Sequence, residues 1–276
     1  MPRVSASANT PIGVLAKVLR ILEAIQGTPS GLGLKAICDR TGIHKSTAHR
    51  FLKHLEGERY LLRTDAGTYL IGPRFAQLTS GVDHRATLQA VARPILWELW
   101  RSTQETVNLA ILDHGSVLYV DVMESPHEFR LSSRVGTRRP IHVTALGKAL
   151  AAFLSEEQKN NIFSTLTFQP PLTPKTIMNL VQLRQELSKV RRQGYSVDDE
   201  ETTLGARCVS APILATGGEA VAAVSVSGPI ARISTGQISA LAAAVMNAAG
   251  SISAALGHSR GKPVPSTKEK LRSVRV

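Results

Sequence analysis

Cysteine is nearly absent: Cys38 and Cys208 are the only two in 276 residues. Two such distant thiols build no disulfide framework, and neither stands in a metal-ligating spacing, so no metal site is expected. Aromatic side chains are also scarce, at 4%, which leaves core formation to aliphatic residues. The opening MPRVSASANTPIG lacks the apolar run of a signal peptide. No uninterrupted apolar stretch reaches membrane length, the Ala-rich 237–256 being broken by Ser, Asn and Gly. A reducing cytosol with no membrane partner is the expected compartment. There is no nucleophile elbow and no internal repeat, and no cofactor is expected.

What is plentiful is positive charge, unevenly placed within a net +12. Residues 1–85 hold twelve Lys/Arg against six Asp/Glu, residues 86–256 fifteen against fourteen, and the last twenty residues six against one. A polyanion partner for the N-terminal part and a different task for the nearly neutral middle fit that split. The length suffices for one large or two medium domains, each with its own core.

Residues 31–72, GLGLKAICDRTGIHKSTAHRFLKHLEGERYLLRTDAGTYLIG, read as a helix-turn-helix followed by a hairpin wing. Leu34, Ile37 and Cys38 recur at helical spacing and run into the stop Thr41-Gly42. Ile43 leads into a second helix whose apolar positions Ala48, Phe51, Leu52 and Leu55 follow the i, i+3, i+4, i+7 rule. Its opposite face offers Lys45, Ser46, Thr47, His49, Arg50 and Lys53, hydroxyls near the start and basic groups beyond, as suits an element laid in a major groove. Tyr60–Arg63 and Thr68–Ile71 flank the turn Asp65-Ala66-Gly67, and Arg63 joins the candidate DNA contacts. Double-stranded DNA is the expected partner.

Thr10-Pro11 signals the start of a first amphipathic helix through Val14, Leu15, Val18, Leu19, Leu22 and Ile25. The domain boundaries expected are an arm over 1–11, a winged helix-turn-helix over 12–72, a polar linker helix over 73–92, a second domain over 93–257 and a basic disordered tail over 258–276. In the second domain, Ile95, Leu96, Leu99 and Trp100 form a helical stripe. Val107–Leu112 and Val117–Val122 form a hairpin about Asp113-His114-Gly115-Ser116. Helices are expected over Thr144–Leu154, after Ser155 at capping-box spacing, over Thr176–Gln193 ended by Gly194, and over about 237–256. Strands are expected over Tyr195–Val197, Cys208–Leu214 and Ala220–Val226. Hairpins mixed with long helices make this an α+β chain with an antiparallel sheet.

The strings IHKSTAHRFLKHLEGERYL at 43–61, PIHVTALGKALAAFL at 140–154, RRQGYSVDDEETTLGARCVSAPI at 191–213 and SVSGP at 225–229 resemble the isocitrate-lyase-regulator (IclR) family of bacterial transcription factors. The resemblance runs in register from Ile12 to Gly257. It implies an N-terminal winged helix-turn-helix, a linker helix, a C-terminal effector domain similar to GAF/PAS-type sensors, and a homodimer or dimer of dimers on a pseudo-palindromic operator. A repressor of a catabolic or transport operon is the family-level expectation.

The residues themselves offer a sensing site. Ser225 and Ser227, two apart in a strand, put both hydroxyls on one side, with Val224 and Val226 on the other. The helix start at Ala145-Leu146-Gly147 offers free N–H groups to a carboxylate. Asp198 supplies an acceptor and Cys208 a compact wall. Each has a plain alternative: a backbone-paired serine, a small buried thiol, or a solvated acidic loop at Asp198-Asp199-Glu200-Glu201. The family resemblance implies that Ala145, Leu146, Asp198, Cys208, Ser225 and Ser227 bind the effector, although Val209-Ser210 stands where the family often has Ile-Ala. A small hydroxy or oxo acid is expected over a dicarboxylate, which Asp198 would repel; an aromatic acid is the alternative. Two other readings are a DNA-binding protein without an effector and an enzyme using Cys208, His142 and Asp198. No catalytic motif supports the last, so the chain is read as no enzyme.

Overall fold

The computed structural model describes residues 13–28, 30–80, 83–168 and 170–258. The expected Thr10-Pro11 cap, the arm over 1–11 and the tail past His258 fall outside them. The chain forms two compact units, Met1–Asp83 and His84–Val276.

The first unit holds α1 (Val14–Gln26), β1 (Leu32–Gly33), α2 (Leu34–Thr41), α3 (Lys45–Gly57), β2 (Leu61–Arg63), β3 (Thr68–Ile71) and α4 (Pro73–Thr79). Gly42 ends α2 in the left-handed region, at φ 69°, and its N–H donates to the Cys38 carbonyl at 2.9 Å. Only a residue without Cβ takes that conformation freely, and it turns the chain so that Ile43 enters the core. Ile21, Ile25, Ile37, Ala48, Leu52 and Leu61 pack together there. Burying a side chain such as Leu52 contributes about 1.5–3 kcal/mol. Gly67, at φ 75°, closes the β2–β3 turn with its N–H on the Thr64 carbonyl at 2.9 Å. An unexpected third strand, β1, pairs with β3 through Leu32↔Tyr69 and Gly33↔Thr68, giving the order β1-β3-β2.

A single linker helix over 73–92 does not form. α4 stops at Thr79, and α5 (His84–Thr103) continues past Ala92 and through Pro94. The buried stripe Leu88, Ala92, Leu96 and Leu99 carries α5 across the proline. Ala90, whose carbonyl loses its usual donor at Pro94, is exposed, so water can serve it.

The rest of the second unit comprises β4 (Thr106–Asp113), β5 (Ser116–Met123), β6 (Arg138–Pro140), α6 (Ala145–Ala152), α7 (Glu156–Thr165), α8 (Leu180–Gln193), β7 (Ser196–Asp199), β8 (Ala206–Leu214), β9 (Ala220–Pro229) and α9 (Ile238–Ala255). The strands make one six-stranded sheet, β6-β5-β4-β9-β8-β7, antiparallel throughout. His114 and Gly115, both at positive φ, form the two-residue β4–β5 turn. Alternation along the strands feeds two cores. Val107, Leu109, Val224 and Val226 pack with α5 and α9, while Ala110, Val117 and Ala223 pack with α6, α7 and α8.

Two expectations change here. The α8 helix begins at Leu180 rather than Thr176, because Thr173 and Thr176 are tied down elsewhere: their hydroxyls donate to the Glu200 and Glu201 carbonyls at 2.6 and 2.7 Å. Asn179 caps it instead, accepting from the Gln182 N–H at 2.9 Å. In addition, Thr235–Ala255 is long and apolar enough to cross a membrane by length and composition alone. Here that stretch serves as a cover for the sheet, with Ala242, Val245, Ala249 and Ile252 buried.

Candidate functional site

In the first unit, Ala48 and Leu52 anchor α3 and leave its other face to solvent. Lys45, Ser46, His49, Arg50 and Lys53 are exposed, as is Arg63 on the wing, and Thr47 is half-buried. None of the basic side chains Lys45, Arg50, Lys53 and Arg63 pairs with a carboxylate among the described residues. Arg50 lies 5.6 Å from the Phe51 ring centroid and Arg63 5.9 Å from that of Tyr69, contacts that preorganise the guanidiniums while leaving their donors open. The Ser46 hydroxyl shares a 3.1 Å hydrogen bond with His44 Nδ1.

In the second unit, a cavity of about 420 Å³ opens on the sheet face that carries the serines. Ala145, Leu146, Asp198, Cys208, Ser225 and Ser227 all line it. The register sets the floor: Ser225 lies between Asn108 and Ser210, and Ser227 between Thr106 and Cys208. Asn108, 1% exposed, donates from Nδ2 to both serine Oγ atoms at 3.2 Å. Each serine oxygen thus acts as an acceptor toward Asn108, which leaves the O–H of Ser225 to donate, while the Ser227 side chain also hydrogen-bonds Cys208. Thr144 caps α6, its Oγ1 accepting from the Gly147 N–H at 3.0 Å. That corrects the expected trio of free N–H groups: Gly147 is taken, and the first-turn N–H groups of Ala145 and Leu146 remain.

Asp198 is neither loop nor open acceptor. It sits in β7, 4% exposed. Its Oδ1 accepts from the Glu201 and Thr202 N–H groups at 2.7 and 3.3 Å, and its Oδ2 from the Thr202 hydroxyl at 2.7 Å. Burial outweighs these bonds and the nearby Lys148 charge, and raises its pKa. Lys148, fully buried on α6, donates to the Val197 carbonyl at 2.6 Å and to Glu201 at 2.5 Å, with Glu186 at 3.9 Å. Burial pushes Glu201 up to about 7.

The nucleophilic set is not assembled. His142 does not line the cavity; its ring packs 4.9 Å from that of Phe168, and burial lowers its pKa. Desolvation, helped by the Asp198 charge, drives the Cys208 thiol far above its ordinary range, which suppresses the thiolate a nucleophile needs.

Sequence reasoning missed several lining or supporting residues. Asn108 and Lys148 did leave a signal, as lone polar positions in an otherwise apolar strand and helix. Tyr119, Arg134 and Arg139, also in the wall, carried none.

The IclR helix-turn-helix domain matches residues 14–65, and the C-terminal domain of the bacterial transcriptional regulator IclR matches residues 81–254. The chain belongs to the IclR family. It is an IclR-family DNA-binding transcriptional regulator and not an enzyme. Its IclR-family relatives include the transcriptional repressor IclR of Escherichia coli K12, 32% identical over 93% of this chain and 94% of that one. The regulator BhcR of Paracoccus denitrificans is 35% identical over 91% and 89%. Among solved structures, Thermotoga maritima IclR aligns at TM-score 0.60 with 30% identity, covering 88% of this chain and 98% of that one. An IclR homologue of Microbacterium hydrocarbonoxydans complexed with 4-hydroxybenzoate aligns at 0.58 with 25% identity, covering 90% and 100%.

Proposed function

We propose that this IclR-family regulator is a repressor of a catabolic or transport operon whose hold on DNA is set by a small organic acid in the second-unit cavity. The observation that carries the reading is the convergence on that one cavity of Ala145, Leu146, Asp198, Cys208, Ser225 and Ser227, which come from three separate stretches of chain. The Ser225 and Ser227 hydroxyls in the lining, the latter shared with Cys208, and the N–H groups opening α6 suit a carboxylate with a neighbouring hydroxyl or oxo oxygen. A ligand that favours one of two arrangements shifts their populations, which is how occupancy is read out as DNA affinity. Repression follows the direction of relatives such as the E. coli repressor IclR and the Salmonella typhimurium acetate operon repressor, 31% identical over 93% of this chain. An aromatic acid is the second reading, favoured by the 4-hydroxybenzoate held in the Microbacterium homologue.

Thermal-shift screening against organic acids tests the effector half. A true ligand raises apparent stability by mass action, and Ser227→Ala should weaken it by about 1–3 kcal/mol through loss of one buried partner. If no acid stabilises the protein, the regulator works without an effector.

For the DNA half, Ser46, Thr47, His49 and Arg50 face base edges, with Lys45, Lys53 and Arg63 toward phosphates. The reader unit is small, so a symmetric homodimer or dimer of dimers on a pseudo-palindromic site supplies useful specificity. Val14 and Leu15, 65% and 71% exposed on α1, offer an apolar face to a second copy. On an operator selected from a random-sequence library, Arg50→Ala is expected to weaken binding by about 1–3 kcal/mol and to relax specificity. Lys53→Ala should weaken all sequences alike and flatten the salt dependence by about one unit. Wild-type affinity and salt slope in both variants would remove α3 as the reader.

A further inference from the structure

Residues 130–139 contain four arginines, and the structure sorts them into two pairs. Arg130 is held by Glu124, through Nε at 3.1 Å and Nη2 at 3.0 Å. Arg138 is held by Asp113, through its carboxylate and, at 3.2 Å, its carbonyl. The guanidiniums of Arg134 and Arg139 have neither an ion pair nor a hydrogen bond among the described residues, and these are the two that line the sensing cavity beside the serines.

Strand geometry accounts for the sorting. β6 pairs with β5 as Val117↔Arg139 and Leu118↔Arg138, so the two neighbouring arginines leave opposite faces of the sheet. Arg139 shares its face with Val117 and Tyr119, and Tyr119 lines the same cavity with a phenol that makes no hydrogen bond among the described residues. The one carboxylate among the described lining residues, Asp198, has both oxygens committed to Glu201 and Thr202. Among the described lining residues the cavity therefore sets two guanidiniums against one carboxylate already hydrogen-bonded. Neither guanidinium is in an ion pair, although Arg134 feels Glu124 at longer range, so the balance is positive and outweighs the expected repulsion of a second carboxylate by Asp198. A lone surface arginine is satisfied by water; two on one concave wall concentrate positive potential and favour an anion.

We propose that Arg134 and Arg139 bind a second acidic group, so that the effector is a small organic dianion whose first carboxylate rests on Ser225, Ser227 and the start of α6. The inference rests on the reading of this cavity as the effector site. A carboxylate and a phosphate present the guanidiniums with the same pair of oxygens, so the second group is either one.

Calorimetric titration of the full chain with matched pairs tests it: 2-oxoglutarate against 2-oxovalerate, malate against 2-hydroxybutyrate, and 3-phosphoglycerate against glycerate. In at least one pair the doubly acidic member is expected to bind about tenfold tighter or more, as fits charge-assisted bonds, and the pair that does so tells carboxylate from phosphate. Arg134→Gln with Arg139→Gln should abolish that preference, weakening the doubly acidic member about tenfold more than the monoacid. Both arginines are exposed, so the variant should keep the wild-type Tm. Equal affinity within every pair, or a preference that survives the double substitution, overturns the proposal; the effector reading stands in that case if Ser227→Ala still weakens binding. Absence of binding by all six compounds overturns the dianion proposal, and the effector reading falls with it if the thermal-shift screen, aromatic acids included, also finds no ligand.

Discussion

Gly147→Ala will destabilise the second unit by about 3 kcal/mol or more, at the upper end of what overpacking does. A Cβ there would stand 2.3 Å from the Ile141 carbonyl oxygen and 2.6 Å from the Ile141 Cα. Both are backbone atoms, and Ile141 is fully buried, so neither can swing aside as a flexible side chain would. Relief requires moving the first turn of α6 away from residues 141–144, which disrupts the Thr144 cap and the Ala145–Leu146 edge of the cavity together. Domains are stable by only about 5–15 kcal/mol, so a loss of this size is a large share of the total. Urea unfolding of the variant beside Gly217→Ala provides the comparison. Gly217 has nothing within 4 Å of its would-be Cβ and no positive φ, and its substitution should stay within about 0.5 kcal/mol of wild type. A wild-type midpoint for Gly147→Ala would show that α6 can withdraw from Ile141 without penalty.

Lys148→Met is expected to lose about 3–5 kcal/mol at neutral pH, the range for removing one partner from a buried ion pair. Methionine fills much the same space, so the loss is electrostatic: Glu201 keeps a buried carboxylate without its cation, and its Oε2 already lacks a partner. The pH dependence has a definite sign. In the wild type, the folded-state pKa of Glu201 is about 7, raised from an ordinary 4.5 chiefly by burial. The folded protein then binds the extra proton, so this group's stabilisation is fully present below about pH 4.5 and is lost as pH rises through about 7. Without Lys148 the carboxylates resent ionisation more strongly, and the penalty of the substitution should shrink as pH falls and Glu201 and Asp198 take up protons. Chemical denaturation of both proteins at about pH 5 and about pH 8 reads this directly. A penalty that is the same at both values would mean that Lys148 acts by packing alone.

The features that local pattern can express were legible. Gly42 turned the helix-turn-helix where a Thr-Gly stop implied, Ala48 and Leu52 faced inward at helical spacing, and Ser155 formed the anticipated capping box with Gln158. Ser225 and Ser227 on one strand face and the start of α6 were local facts, whereas Asp198 and Cys208 joined the set through the family resemblance; all of these residues line one cavity. What escaped was short or distant. β1 is two residues long and has no periodicity to detect. β6 is Arg-Arg-Pro, a composition that reads as loop, since proline and charge are tolerated only at a sheet edge. The expected boundary between 92 and 93 falls inside α5, whose buried stripe crosses Pro94. Asn108 and Lys148 were visible as oddities, but their partners lie 117 and 119 residues away for Asn108 and 53 for Lys148, beyond the reach of any window.

The three-residue edge strand β6 also carries a lesson in how chemical identity is stored. Because successive side chains leave opposite faces, slipping its pairing with β5 by a single residue would exchange the fates of Arg138 and Arg139. Arg138 would be pulled from Asp113, which would keep Arg85 at 3.6 Å, and Arg139 would be turned away from the cavity. Which arginine reaches the cavity is thus written in the hydrogen-bond alignment of three residues, and an insertion or deletion in residues 124–130 that shifted that alignment would change the charged wall of the cavity without replacing one of its lining side chains.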